Sequence, residues 1–464
     1  MTRAFPTHAT LRSEVLYHSK DLIRLAWPVM LSRAGILVMA FADIAMLGRY
    51  SEEAVGVSNL GIAIFVPVIV VTIGLVSGMV PVVSQAYGAG QWQECGRAWR
   101  RAMSWGVFVS LIGAAACYYG EAVLKGMRSM GIDLSDAQIE QAGIVAVALA
   151  PGVVAQVLFA ACAFYLESVR RPLFALVAMV LANVVNVFLN WVMIFGHMGW
   201  PEMGAEGAAW ASTLARFAAF GLMLWVILAG KDAVAAGVRG PWEGLWGPGG
   251  WRAGAMMRKL GFSAGLSNGF ETVGFAAMMM FAGTLGTAAL AAYAISHNLV
   301  STLFMIGLGL AVATGVRVGQ ATGAGDPRGA MVAGWTGLLV AAVIMGSLMV
   351  LVLAFNHEVA AVYTDDPALA ARAAGVLLVS AFVFAPDSLQ VVMGQAIRAL
   401  GDAWVAVACY SLSFLVVMVP LGYWLVRGQP GMDERGLVLA VIAACVTATV
   451  LLCWRFWVLT RRTS

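Results

Sequence analysis

This sequence of 464 residues contains twelve apolar runs, each more than 20 residues long. A helix needs about 20 mostly apolar residues to cross the hydrocarbon core of a membrane, so each run is long enough to span it. In lipid the backbone must satisfy its own hydrogen bonds, and the runs are far longer than the roughly ten alternating residues of a barrel strand. We therefore predict an all-α integral membrane protein. The predicted spans are Leu22–Leu47, Val55–Val83, Ala98–Tyr119, Gln141–Leu166, Leu173–Phe195, Gly207–Ala229, Met256–Gly283, Ala288–Val316, Ala330–Phe355, Leu369–Ala396, Trp404–Val426 and Gly436–Leu459.

The composition agrees with a surface that faces lipid. Charged residues make up 11% of the sequence, whereas soluble domains carry about 25%. The 52 glycines suit close approach of helices in lipid. A net charge of +4 is too small to indicate nucleic-acid binding. The six cysteines form no CxxC pair and lie mostly inside apolar runs, which predicts buried thiols rather than metal ligands or disulfides.

The distribution of positive charge predicts the orientation. With the N-terminal tail inside, inside segments hold 17 lysines and arginines and outside segments hold 6. Because cytoplasmic loops carry the excess of positive charge, we expect both termini in the cytoplasm, which requires an even number of spans. The polar segment Met1–Lys20 lacks the features of a signal peptide, so we expect no removal of a leader.

A polar segment rich in glycine, proline and tryptophan separates six spans from six. We predict an N-lobe at residues 1–230, a cytoplasmic linker at 231–252 and a C-lobe at 253–464. The motif Gln-Ala-x-Gly-Ala-Gly occurs at 85–90 and again at 320–325, an offset of 235 residues. Chance enrichment in glycine is the alternative, but recurrence at the same place in each half favours duplication. Two parallel halves with a site between them are a transporter architecture.

The motifs that the sequence lacks limit which energy source the protein can use and which class of protein it can be. The sequence has no GxxxxGK[ST] motif, so it does not hydrolyse ATP by that route. Energy for transport must then come from an ion gradient or from a partner, and we expect an ion gradient, with no ATPase partner required. The absence of HExxH and of histidine clusters argues against a membrane-embedded enzyme.

Three acidic residues fall inside predicted spans, where no basic residue lies one helical turn away. They are Asp43 in the first span, Glu271 in the seventh and Asp387 in the tenth. A charge at the centre of a bilayer costs about 2.5–3.5 kcal/mol, so such residues usually have a function. The functional interpretation is a cation or proton site, and the alternative is a buried structural hydrogen bond. Pro386 directly precedes Asp387 and predicts a kink there.

Polar residues in the fifth and sixth spans are candidate partners. Asn186 and Asn190 are four residues apart, so they share a helix face and could line a site with Asp43. Ser212 in the sixth span is a weaker candidate. For the asparagines, hydrogen bonding between helices remains an equal alternative.

Several stretches resemble the multidrug and toxic compound extrusion (MATE) family, nearest its bacterial NorM-like branch. They are residues 22–28 with 41–48, 181–191, 269–272, 315–320 and 387–402. The resemblance implies twelve helices in two pseudo-symmetric six-helix lobes, arranged as a V around an alternating-access cavity. It also implies export of organic cations or amphipathic compounds against inward H⁺ or Na⁺.

The resemblance also implies roles for the candidate residues. Asp43, Asn186, Asn190 and Ser212 match the cation or proton site of the N-lobe, whereas Glu271 and Asp387 match the acidic pair of the C-lobe. Asp43, Glu271 and Asp387 are also candidate substrate ligands, and Na⁺ is expected at Asp43 or at the acidic pair if Na⁺ is the coupling ion. Some Na⁺-linked members carry tyrosine where this chain has Val383, so the choice between H⁺ and Na⁺ stays open.

The expected setting follows from this interpretation. We expect a monomer in the cytoplasmic (inner) membrane of a bacterium, in contact with membrane lipid, with small-molecule substrates and no cofactor beyond the coupling ion. A lipid-linked oligosaccharide flippase of the same superfamily is the nearer alternative. It would need an arginine-lined cavity, and Arg33 alone favours it.

Overall fold

The structure is a computed structural model that describes residues 11–129, 135–231, 233–240, 249–428 and 432–461. These residues form helices and connecting turns, and they contain no strand. The α-helices are α1 (Leu11–Tyr50), α2 (Glu52–Ser77), α3 (Met79–Gly88), α4 (Trp92–Tyr118), α5 (Gly120–Ser129), α6 (Asp136–Ser168), α7 (Leu173–Phe195), α8 (Gly204–Ala229), α9 (Gly250–Ala253), α10 (Ala255–Thr284), α11 (Thr287–Gly323), α12 (Pro327–Ala354), α13 (Asn356–Tyr363), α14 (Pro367–Ser380), α15 (Phe384–Ala399), α16 (Trp404–Tyr410), α17 (Val419–Gly428) and α18 (Glu434–Arg461).

Each predicted span lies on a described helix or on consecutive helices. In the described part of the chain, eleven helical segments are long and apolar enough to cross a membrane. The remaining predicted span corresponds to α10, which has 30 residues and is long enough but more polar. Its polar residues include Asn268 and Glu271, so the weaker hydropathy comes partly from a candidate site residue. The prediction of an all-α membrane protein is confirmed.

Packing divides the chain into two compact units. The first, which we call the N-unit, comprises Ala34–Tyr87 and Gln91–Gly265. The second, the C-unit, comprises Met1–Arg33, Gly88–Gly90 and Leu266–Ser464, within which only the described residues are considered. Thus α1 and α10 each contribute to both units. The predicted division at residues 230 and 253 follows sequence composition and stays a prediction.

In the N-unit, α6 is the central helix. It packs against α2, α4 and α8, and 78% of its most apolar stretch is buried. Small side chains allow this, because alanine and glycine let neighbouring helices approach closely. At Gly61 of α2, for example, an added Cβ would collide with the side chain of Val145 on α6.

Within the N-unit, two glycines contact two glycines of α10. One of the first two lies in the last turn of α2 and the other directly follows that helix. A Cβ on Gly74 would lie 2.7 Å from the Cα of Gly265, and a Cβ on Gly78 would collide with the backbone of Met257 and Gly261. Each helix thus presents glycines four residues apart, the spacing that brings backbones together in membranes. These glycines leave no room for a side chain.

The C-unit contains one comparable close contact. Its central helix, α11, packs against α12, α14 and α15. A Cβ on Gly309 of α11 would lie 2.9 Å from the backbone nitrogen of Met30 on α1. Gly309 and Met30 are each 235 residues from their N-unit counterparts, Gly74 and Gly265.

Helix boundaries support the duplication independently of the motif. The helices α3 and α11 end at Gly88 and Gly323, and α4 and α12 begin at Trp92 and Pro327, in both cases 235 residues apart. A short helix follows in each half, α5 in the first and α13 in the second. These short helices were not predicted, because eight to ten residues are too few for a span.

The tenth predicted span is interrupted near its acidic residue. The helix α14 ends at Ser380, a 3₁₀ turn covers Ala381–Val383, and α15 begins at Phe384. Asp387 therefore lies in the first turn of α15, one residue after Pro386. The kink predicted at Pro386 falls within this first turn, and the change of helix type lies just before it.

The linker after α8 is described only in part, because residues 232 and 241–248 lie outside the described residues. The segment 233–240 is tied to α4. The backbone nitrogen of Gly96 donates to the carbonyl of Ala236 at 3.0 Å, and the Arg100 guanidinium donates to the carbonyls of Gly237 and Val238.

We expect Gly78→Ala to destabilise the protein, since its Cβ would meet the backbone of α10, which cannot move aside as a side chain can. Overpacking of this kind costs about 1–3 kcal/mol. Gly56→Ala on the same helix is the matched control, since nothing lies within 4 Å of its Cβ. Thermal unfolding of the purified protein should show a lower midpoint for Gly78→Ala only. Equal midpoints for the two variants would contradict the close packing of these helices.

Candidate functional site

The N-unit contains a buried carboxylate held by three side chains. The carboxylate of Asp43, 8% exposed, lies on α1. Its Oδ1 accepts from Nδ2 of Asn186 at 2.9 Å and from Nδ2 of Asn190 at 2.6 Å. The hydroxyl of Ser212 donates to Oδ2 at 2.5 Å. All four residues predicted for this site therefore meet, and their roles in coupling stay a prediction.

Helix geometry explains this meeting. Asn186 and Asn190 lie on successive turns of α7 and face α1 together, and Nδ2 of Asn190 also approaches Oδ1 of Asn186 at 3.3 Å. Ser212 reaches the same point from α8, where it also accepts from Nδ2 of Asn186 at 3.2 Å. Three helices thus supply the four side chains, so this carboxylate also joins the helices.

One oxygen of this site is unused. Among the described residues, Oδ1 of Asn190 is buried and has no hydrogen-bond partner. A buried carbonyl oxygen without a donor costs free energy. Carboxylate and amide oxygens are the kind of ligand that hard cations prefer.

The C-unit contains two carboxylates bridged by one amide. Nε2 of Gln390 donates to Oε1 of Glu271 at 3.2 Å and to Oδ1 of Asp387 at 3.1 Å. Asp387 is buried, at 3% exposed, and Glu271 is half-buried. The thiol of Cys445 lies 3.7 Å from the same Oδ1 of Asp387. The acidic pair predicted from the sequence is therefore close in space.

Two neighbouring carboxylates repel each other, so such a pair favours the uptake of one positive charge, whether a proton or another cation. Here too a carbonyl oxygen is unused, because Oε1 of Gln390 is buried without a partner among the described residues. Each unit thus combines acidic oxygens with one free amide oxygen.

Gln390 was not identified from the sequence. It lies three residues after Asp387 on α15, one helical turn away, and this spacing was the available signal. Cys445 on α18 had no such signal, because it is distant in sequence. Arg216 was also missed, although it lies four residues after Ser212 on α8.

Secondary transporters typically consist of membrane-spanning helices with an internal duplication and buried acidic sites. The sequence model of the MatE family matches residues 28–192 and 264–424, one segment in each half. The chain belongs to this family, that of the multidrug and toxic compound extrusion transporters. It is a multi-pass membrane transporter and not an enzyme, in agreement with the sequence prediction.

Similar proteins agree over nearly the whole chain. A probable multidrug resistance protein NorM of Caulobacter vibrioides is 35% identical over 450 residues, which cover 96% of this chain and 92% of the relative. The multidrug resistance protein PmpM of Pseudomonas aeruginosa is 28% identical. The alignment covers 94% of this chain and 90% of PmpM.

Solved structures show the same fold. The crystal structure of the eukaryotic MATE transporter AtDTX14 matches with a TM-score of 0.86 at 17% identity and covers 97% of this chain and 99% of its own. An outward-facing multidrug resistance MATE transporter matches with a TM-score of 0.82 at 18% identity, over 96% of this chain and 97% of its own.

We expect Asn186→Leu to reduce transport about tenfold, because the buried carboxylate of Asp43 loses a donor, and a hydrogen bond to a charged group contributes about 1.5–3 kcal/mol. The control is Asn183→Leu on the same helix, whose Nδ2 donates to backbone carbonyls of Gly35 and Met179. The rates of ethidium efflux are compared between cells that contain equal amounts of the two variants. A similar loss in both variants would mean that contact with Asp43 is not what matters.

Proposed function

We propose that this protein exports organic cations or amphipathic compounds, including drugs, in exchange for inward H⁺ or Na⁺, by alternating access. It does so as a monomer in the cytoplasmic membrane of a bacterium, with both termini in the cytoplasm and without an ATPase partner or a cofactor beyond the coupling ion. The names of its relatives, as multidrug resistance proteins, support this substrate class.

One observation carries the proposal: each unit buries carboxylate oxygens beside an amide oxygen without a donor. Removal from water disfavours the charged form of a carboxylate, and a bound positive charge restores it. Such a group exchanges one positive species for another. Each charge that moves inward across 100 mV supplies about 2.3 kcal/mol, enough to concentrate a substrate roughly 50-fold.

The two sites have different roles in this proposal. Asp43 exchanges H⁺ or Na⁺, and Asn186, Asn190 and Ser212 orient its carboxylate through the hydrogen bonds described above. Glu271 and Asp387 bind a cation or a cationic substrate, because together they carry more negative charge than one proton neutralises.

The flippase alternative rests on Arg33, which is buried at 6% exposure. A flippase of lipid-linked sugars needs several arginines to hold a pyrophosphate, because each guanidinium binds one phosphate edge. Binding of ethidium and of a lipid pyrophosphate by the purified protein separates the two functions. Binding of the lipid pyrophosphate alone would favour the flippase.

We expect Asp43→Asn to abolish drug resistance in a host that lacks its own pumps, since the amide cannot exchange a proton or Na⁺. Glu53→Gln is the matched control, because Glu53 is exposed at the start of α2. Growth at increasing ethidium concentrations measures resistance, with membrane expression checked for both variants. Resistance retained by Asp43→Asn would refute the role of Asp43.

Proteoliposomes with separately imposed Na⁺ and pH gradients identify the coupling ion. One of the two gradients should drive uptake of ethidium into the vesicles, and Asp43→Asn should remove that uptake. Uptake that needs neither gradient would contradict ion-coupled antiport.

A further inference from the structure

The sixth predicted span carries a half-buried arginine beside the Asp43 site. Arg216 lies one turn after Ser212 on α8, so both side chains point to the same side of that helix. Its guanidinium is close enough to Asp43 for Coulomb attraction, and it lies 4.9 Å from the centre of the Phe65 ring. Within the described part of the chain, its Nη1 is buried and has no hydrogen-bond partner.

A small cavity adjoins this guanidinium. Among the described residues, Arg216 is the only charged one in its lining. On each of the three helices of the Asp43 site, the cavity lining lies about one turn from the site residue. The lining includes Met39 on α1, Ala182 on α7, and Arg216 and Ala219 on α8.

Gln156 on α6 is the other polar residue of this lining. Gly152, one turn earlier on the same helix, lies beside the guanidinium, since a Cβ there would be in ordinary contact with Nη1 of Arg216 at 3.6 Å. The guanidinium therefore has the carboxylate of Asp43 and the side chain of Gln156 in its surroundings.

The two sites differ in charge balance. In the N-unit, one carboxylate faces one guanidinium, so the site is neutral when Asp43 is ionised. In the C-unit, the guanidinium of Arg398 attracts Glu271, and Asp387 adds a second carboxylate, so one negative charge remains when both acids are ionised. Only the C-unit site has negative charge to spare for a permanently charged cation.

We propose that Arg216 determines the specificity of the Asp43 site by serving as a tethered counter-ion. It holds the ionised carboxylate, gives way to a proton or a small inorganic cation by turning into the cavity, and repels bulky organic cations. This proposal rests on the proposed function. It implies that organic cations bind at the acidic pair of the C-unit and not at the Asp43 site of the N-unit.

Equilibrium binding of radiolabelled tetraphenylphosphonium to the full chain in detergent tests this assignment. The starting variant is Glu271→Gln with Asp387→Asn, which removes the acidic pair. Adding Arg216→Gln should strengthen binding at least about tenfold, because a buried like charge within several ångströms is removed. Arg216→Lys keeps the charge and should keep binding weak, and further addition of Asp43→Asn should cancel the gain.

An arginine with a merely structural role gives the opposite result. Binding that is unchanged or weaker in a monodisperse Arg216→Gln protein would overturn the proposal, as would a gain that persists with Asp43→Asn. Neither result depends on wild-type transport. Failure of this proposal can therefore be distinguished from failure of ion-coupled antiport, which the proteoliposome experiment tests.

Thermal unfolding keeps the proposal testable if Arg216→Gln folds poorly. Asp43→Asn leaves the buried guanidinium without its counter-charge, so adding Arg216→Gln should raise the unfolding midpoint of that variant while lowering that of the wild type. Equal lowering in both backgrounds would refute the pairing.

Discussion

The structure depends on the hydrogen bonding of carboxylates that are kept out of water. Burying an ionised group without partners is costly, so Asp43 collects donors from two further helices, and Asp387 shares the amide of Gln390 with Glu271. The same bonds therefore hold helices together and define the sites. In the proposed exchange, these hydrogen bonds change when a cation enters, and binding is thereby linked to helix movement.

Glycine allows other pairs of helices to pack closely. The backbones of α2 and α10 touch at Gly74 and Gly265, and α11 touches α1 at Gly309. Apolar side chains supply little driving force between helices in lipid, so close backbone contact and buried polar bonds replace it. The many glycines of the composition thus have specific positions in the packing.

Much of this architecture was predictable from the sequence, because hydrocarbon thickness fixes the span length and the Asn186–Asn190 spacing fixes a helix face. The acidic residues stood out by their cost in lipid. What remained hidden depends on contacts between distant segments. Cys445 meets Asp387 only in three dimensions, and the division of α1 and α10 between two units follows from packing rather than composition. Arg216 was overlooked because a lone basic residue in a span has no partner in its own helix.

The shared helices have a consequence for how the chain can be divided. The first part of α1 completes the C-unit, whereas the first part of α10 completes the N-unit. A fragment cut at the linker would carry a helical segment that belongs to the other fragment's core and would lack one of its own. Two such fragments resemble partners in a domain exchange: each is incomplete alone, and co-expression is the natural route to a split transporter.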